Sequence, residues 1–469
     1  MLFNSLSFVA LVIATFGLYY LPFLQRWQRH ILVIASFIFY AFSIPTLLLL
    51  LLTSIGINIA SSYLIVNGKR ELRRVYSISG VTLNLVMLAF FKYSPLFSHT
   101  FFPETSSVGA FLTSIPLPVG ISFFTFQGIS LVVDTFRSNR VEEYKTLMVN
   151  HLGAHALNTT LFIAYFPQLV AGPIVKAHDF LPQIQTKFLK DVDWEFVFRN
   201  VVMGYFLKMV VADNLKDETL YIEYPYYLGK SALELLSLLF GYSMQIFADF
   251  AGYSLIAIGI AVLFGYRLYD NFLFPYISRS FSEFWRRWHI SLSTFLKEYL
   301  YLPLGGNRMS KSRTYLNLMI VMFLGGLWHG AAWSYAIWGT FHGVALALER
   351  LAKDHVKVPN FKGRAILEGL MVFIFVTFAW LLFKLPEFTH VIGYIETLFT
   401  STRPNQLNTQ ILLVAIYSIP VILYHFYYLF DVRLRIYSFQ KVEFFAYGTM
   451  LFLILTNSGS SGAFIYFQF

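Results

Sequence analysis

Apolar runs of membrane-crossing length recur from one end of this chain to the other, and they leave few folds open. A spanning helix takes about 20 mainly apolar residues. Within hydrocarbon every backbone N–H and C=O must find its partner inside the protein, which leaves helices or a closed barrel. The runs here are continuous rather than alternating, so helices are expected. Only 13% of the 469 residues are charged, about half the usual share of about 25% in a soluble domain. No long polar stretch separates the runs, and a single membrane domain over residues 1–469 is the simplest organisation.

The first run is Leu6–Leu24, and Ile31–Val66 has the length of nearly two, with Pro45 as its natural break. Tyr76–Phe91 follows, and the nearly uncharged stretch Tyr93–Ser114 is expected to be an outward loop. Later runs are Leu117–Phe136, Leu152–Val170, Val197–Val211, Ala232–Phe264, Thr314–Leu348, Ala365–Leu385, Gln410–Phe430 and Phe444–Thr456. Ala232–Phe264 and Thr314–Leu348 are each long enough for a broken pair. The expectation is an all-α membrane protein of about eleven transmembrane helices, some broken or re-entrant. Ile115–Ile121 and Ala171–Pro173 interrupt apolar surroundings, and either line a cavity or are plain kinks.

The net charge of +10 does not mark a nucleic-acid binder. Its basic residues fall in short clusters between apolar runs, such as Arg26 with Arg29 and Lys69, Arg70, Arg73 and Arg74. That is how cytoplasmic loops look under the positive-inside rule. The chain has no cysteine, which removes disulfides, thiolate metal sites and thiol nucleophiles. The first eight residues carry no basic segment, so the first run is expected to be a retained helix rather than a cleaved signal. No internal repeat of the kind common in secondary transporters is evident.

Two segments carry possible chemistry. Drawn as one helix, Glu283–Leu300 places Trp285, Trp288, His289, Leu292, Phe295, Leu296 and Tyr299 on one side, with its charged residues opposite. A basic face opposite aromatics predicts an interfacial amphipathic helix. His289 is the polar exception on the aromatic face, and either serves the site or donates a hydrogen bond to a backbone carbonyl. The second segment, Gly325-Gly-Leu-Trp-His-Gly-Ala-Ala-Trp333, lies deep in an apolar run. An ionisable residue there is costly and is a functional-site hypothesis by default.

Glycines around His329 let another backbone or a substrate approach closely, and Trp328 and Trp333 offer flat walls. Burial lowers an imidazole's basicity and keeps it neutral, able to take a proton from a hydroxyl. The rival role for His329 is a hydrogen bond to a neighbouring helix. His342, thirteen positions on, would not share its face on an unbroken helix. No metal-ligand spacing, P-loop, dinucleotide fingerprint or serine-nucleophile motif stands in a credible context.

Phe284-Trp-Arg-Arg-Trp-His-Ile-Ser-Leu-Ser293, Leu304-Gly-Gly-Asn-Arg308 and Gly325-Gly-Leu-Trp-His-Gly330 closely resemble the membrane-bound O-acyltransferase family. Phe166–Ile174, Leu117–Phe123 and the ending Phe464–Phe469 resemble its bacterial branch, which modifies cell-surface polymers. The resemblance implies a ring of helices around a funnel thin at its centre. It implies that His329 is the histidine required for transfer, and that His289 matches a second polar position. Trp288, Trp328 and Trp333 are then candidate walls of the substrate channel.

The resemblance further implies a multi-pass protein of the bacterial inner membrane, surrounded by lipid. Acetyl-CoA would be the donor, with no permanently bound cofactor, and a glycan the final acceptor. An extracytoplasmic SGNH-hydrolase-type partner would complete transfer. Asp249–Leu255 departs from the alginate-type motif, with Ala251 where serine and Leu255 where aspartate is usual. That points away from alginate and, with Gln168 in the Phe-Pro-Gln motif, towards peptidoglycan or another surface glycan. The rival from another class is a transporter or flippase that moves a donor or lipid-linked glycan without chemistry, and a third reading is a scaffold that docks the partner.

Overall fold

The computed structural model describes residues 1–42, 44–103, 106–138, 151–170, 172–355, 359, 361–433, 440–460, 462 and 464–465. All regular structure among them is helical. The principal helices are α1 (Leu6–Tyr19), α2 (Gln28–Ala41), α3 (Leu47–Asn67), α4 (Arg73–Phe101), α5 (Ser107–Ser114), α6 (Ile121–Arg137), α7 (Leu152–Ala164), α8 (Trp194–Tyr205) and α9 (Asp213–Thr219). They continue as α10 (Ala232–Leu263), α11 (Phe281–Arg287), α12 (Ile290–Leu296), α13 (Lys311–His329), α14 (Trp333–His355), α15 (Arg364–Lys384), α16 (Phe388–Thr400), α17 (Thr409–Tyr427) and α18 (Gln440–Thr456).

The expectation of about eleven transmembrane helices is corrected. Among the described residues, five helices are long and apolar enough to cross a membrane: α3, the stretch Arg70–Phe101 containing α4, α10, α15 and the stretch Thr409–Phe430 containing α17. A sixth is reached if α1 and the segment Pro22–Ala41, bent by 106°, form one broken span. Apolar runs overcount spans for two physical reasons. Some helices are too short, as in Leu152–Ala164 and Glu443–Thr456. Others are interior helices whose buried polar residues dilute the run; α6 buries Thr125, Gln127, Ser130 and Asp134. Nor do the described residues delineate a funnel.

The boundaries differ in instructive ways. Helix α4 runs through Pro95 to Phe101, so most of the expected outward loop is helix. Ala232–Phe264 is one unbroken helix of 32 residues rather than a pair. The run Thr314–Leu348 does break, where Gly330 ends α13 in an extended conformation. Val197–Val211 passes from α8 into a π-helical turn, Phe206–Ala212. Ala171 and the last four residues, parts of two motifs noted in the sequence, lie outside the described residues.

The chain forms two compact units. The first comprises Met1–Val201 and Ser254–Tyr269, and the second Val202–Tyr253 and Asp270–Phe469. In the first unit α3, α4 and α6 pack on one another. Asn58 and Asn84 exchange amide hydrogen bonds between α3 and α4, at 3.2 and 3.0 Å. A Cβ on Gly128 of α6 would overlap the Asn58 amide, so only glycine lets the three helices meet there. At the end of α6, Asp134 bonds His178 Nδ1 at 2.7 Å.

In the second unit α13 and α14 form a hairpin of very close approach. A Cβ on Gly326 would overlap the Tyr335 carbonyl, and one on Gly339 the Met322 carbonyl. Two backbones touch where side chains normally intervene. The same unit holds a buried ion cluster: Lys208 Nζ lies 2.7 Å from Asp213 and 2.8 Å from Asp249.

Candidate functional site

The interfacial helix expected over Glu283–Leu300 is also corrected: no such helix forms. Trp288 is extended, at ψ 129°, and His289 is left-handed, at φ 44° and ψ 55°, so the chain breaks into α11 and α12. A π-helical turn, Lys297–Tyr301, follows. Projection on one helical wheel fails once the phase is broken. The aromatic side is covered by protein: Trp288 packs on Trp380 at 4.9 Å and edge-on to Phe272 at 5.0 Å.

A left-handed conformation costs a residue with a Cβ about 1–3 kcal/mol and persists only where surroundings over-determine it. Asn271 supplies that restraint. Its backbone carbonyl accepts from Ile290 N at 2.9 Å. Its side-chain Oδ1 accepts from Ser291 N at 3.3 Å and from Ser291 Oγ at 2.8 Å. The first N–H groups of α12 are thus capped by a residue far back in the chain. The preceding helix is held likewise, because Glu349 of α14 accepts from Ser282 N at 3.2 Å and Ser282 Oγ at 2.6 Å.

These bonds also fix the histidine tautomer. A backbone N–H can only donate, so the Asn271 atom facing Ser291 N is the oxygen. The same oxygen lies 3.1 Å from His289 Nδ1, which must therefore donate. His289 keeps its proton on Nδ1 and presents Nε2 as an acceptor. Complete burial pushes its pKa down to about 3, so the ring is neutral at physiological pH.

His329 is the last residue of α13 and is almost fully buried. A Cβ on Gly330 would strike the Tyr335 ring, so the turn that ends α13 at this imidazole needs glycine. The rings of His289 and His329 lie 6.3 Å apart, centroid to centroid. That is too long for a ring-to-ring hydrogen bond and leaves room for one bridging group. Trp328 touches both, at 5.8 Å from His289 and 5.1 Å from His329.

Three further rings wall the pair: Phe250 at 4.6 Å from His289, with Trp338 and Phe383 each at 5.2 Å from His329. Trp288 and Trp328 are buried, while Trp333 opens α14 and is half exposed. His342 stands behind Trp338 at 4.9 Å. Sequence reading missed Asn271, Phe250, Trp338 and Phe383. Only the polar Asn271 before an apolar stretch carries any local signal, and nothing in its spacing points to His289.

Two buried imidazoles behind aromatic walls can exchange a proton with a hydroxyl, and no cluster able to hold a metal occurs among the described residues. The sequence profile of the membrane-bound O-acyltransferase family matches residues 75–386. A peptidoglycan O-acetyltransferase of Helicobacter pylori is 37% identical over 75% of this chain and 70% of its own. A probable alginate O-acetylase of Pseudomonas syringae is 35% identical over 84% of this chain and 74% of its own. A teichoic acid D-alanyltransferase of Bacillus subtilis is 28% identical over 58% of this chain and 70% of its own. With its apolar spans and this histidine pair, the chain belongs to the membrane-bound O-acyltransferase family and is a multi-pass O-acyltransferase of the bacterial inner membrane.

Proposed function

We propose that the protein moves an acetyl group from cytoplasmic acetyl-CoA towards hydroxyls of an extracytoplasmic cell-surface glycan, peptidoglycan before alginate. An SGNH-hydrolase-type partner completes delivery. The observation that carries this reading is the pair of imidazoles 6.3 Å apart, held by separate helices behind aromatic walls. Similarity to a peptidoglycan O-acetyltransferase and to alginate O-acetylases supports the glycan acceptor.

In this mechanism an acceptor hydroxyl attacks the thioester carbonyl while His329 takes its proton. The C–O bond forms, the C–S bond breaks, and the imidazolium returns the proton to the departing thiolate. Ester and free thiol result, and no other reactant is needed. His289, fixed as the Nδ1–H tautomer, accepts a hydrogen bond at Nε2 that positions donor or acceptor and assists proton transfer. Trp288 and Trp328 exclude water from this space, and Trp333 stands nearer the surface. General-base catalysis is typically worth about 10²- to 10⁴-fold.

The test is His329→Ala, purified in nanodiscs with radiolabelled acetyl-CoA, glycan and the partner. Label on the glycan and release of free thiol should both fall at least about 100-fold. Transfer at the wild-type rate by a well-folded variant would remove His329 from the mechanism. A flippase would move the labelled donor without any release of thiol, and a mere scaffold would tolerate replacement of both histidines.

A further inference from the structure

A cavity of about 520 Å³, with both charged and apolar side chains in its lining, lies apart from the histidine pair and is lined, among the described residues, by the second unit alone. Its volume is in the range of small-ligand sites, about 300–1,000 Å³. The lining includes the buried cluster of Lys208, Asp213 and Asp249. Near its rim Lys384 pairs with Glu223 at 2.7 Å, and the half-exposed Tyr224 stacks on His390 at 4.6 Å. Tyr242 also lines it, fully buried, and its hydroxyl has no hydrogen-bond partner among the described residues. A buried hydroxyl left unpaired is costly, so this one is placed to meet a ligand's polar atom.

The position is as telling as the lining. Helix α15 begins at Arg364, beside Lys353 and Lys362, and ends at Lys384 on the cavity. The positive-inside rule assigns the Arg364 end to the cytoplasm and the cavity to the extracytoplasmic end. Asp249 and Ile465 form part of its wall, and Asp249 accepts from Ile465 N at 2.7 Å. Their chain neighbours Phe250 and Phe464 pack at 5.6 Å, and Phe250 meets His289 edge-on. Leu385 lines the cavity, while Phe383 lies against His329. Phe250 and Phe383, which touch the two histidines, thus lie within two residues in sequence of the lining residues Asp249 and Leu385.

We propose that this cavity is a carbohydrate-binding subsite that takes a short segment of the acceptor glycan. The inference rests on the acyl-transfer reading above. Carboxylates and ammonium groups mixed on one wall accept from and donate to sugar hydroxyls, and a flat aromatic at the rim suits the C–H face of a pyranose. With four carboxylates against three lysines in its lining, the cavity disfavours the phosphates of coenzyme A.

The test uses the full chain in nanodiscs and the methyl glycoside of an N-acetylglucosaminyl-N-acetylmuramic acid disaccharide, read by saturation-transfer NMR. Wild-type protein should show transfer to the sugar ring protons. Tyr242→Phe removes only an unpaired hydroxyl, so it should fold at least as well, yet its Kd should rise about 5- to 10-fold, the worth of one hydrogen bond. Absence of transfer in the wild type, or equal affinity in Tyr242→Phe, overturns the assignment and leaves the cavity to a peptide of the partner. His329→Ala should bind the disaccharide normally. If it binds and still acetylates glycan, the acyl-transfer reading falls while the sugar site stands; if acetylation is lost but Tyr242→Phe binds as wild type, only the sugar site falls.

Discussion

Replacing Asn271 by alanine should cripple the site without touching either histidine. Asn271 Oδ1 accepts three hydrogen bonds, from Ser291 N, Ser291 Oγ and His289 Nδ1, in surroundings where Asn271 itself is 1% exposed. Each buried donor left without an acceptor costs about 1–3 kcal/mol. The Ser291 hydroxyl can rotate to another acceptor, which leaves two stranded donors and an expected destabilisation of about 2–6 kcal/mol. The catalytic loss should be larger than that alone explains. Without the acceptor, the imidazole no longer needs its proton on Nδ1, and the left-handed turn at φ 44° loses its restraint.

Acetyl transfer in nanodiscs should fall about 100-fold through kcat, with a thermal unfolding curve run on the same preparation. Asn271→Asp separates positioning from simple stability. It restores an acceptor but sets a carboxylate against Nδ1–H, which favours the imidazolium. The ring then charges at a higher pH than in the wild type, and the acidic limb of the rate profile should move upward. Wild-type kcat with wild-type stability in Asn271→Ala, or an unmoved profile in an active Asn271→Asp, would refute the reasoning.

Three further outcomes are expected. Lys208→Met strands Asp213 and Asp249 as buried carboxylates, so it should cost about 3–5 kcal/mol, measured as thermal stability against a Lys208→Met/Asp213→Asn/Asp249→Asn triple variant that restores much of it. Gly339→Ala drives a methyl into the Met322 carbonyl and should separate α13 from α14, at a cost of about 1–3 kcal/mol or more and with loss of transfer; crosslinking between cysteines placed on the two helices reads the separation. For His178, burial lowers the pKa, but the Asp134 hydrogen bond and charge outweigh it and leave the pKa raised. Stability from this pair is therefore full below the unfolded value near 6.5 and lost as pH rises through the higher folded value. Hydrogen exchange of the segment around His178 should speed up across that window, and Asp134→Asn, which leaves burial opposed only by the weaker Asp179 charge, should remove that speeding-up.

How much of this was legible depended on whether the signal was local. His329 could be found because a titratable residue between glycines in an apolar run has few ordinary uses. His289 could be singled out as a residue, but not its geometry, since the break at Trp288 is imposed by Asn271 and Glu349 from elsewhere in the chain. The same limit applies to the tryptophans. Gly330 resets the helical phase, so no periodicity read through it reveals that Trp338 faces His329 while Trp333 is half exposed. Spans were overcounted because hydropathy does not distinguish lipid from a protein interior, and α6 lies largely in the latter.

The glycine seam between α13 and α14 has a mechanical consequence. Membrane helices answer a thicker or thinner bilayer by tilting, and side-chain contacts can slide as they do so. Here carbonyl meets α-carbon across the seam, with no compliant layer between. The hairpin must lean as one rigid lever, carrying the His329 ring with Trp338 at constant separation. Lipid chain length can then alter how the enzyme sits in its host membrane without disturbing the packing of His329 against Trp338.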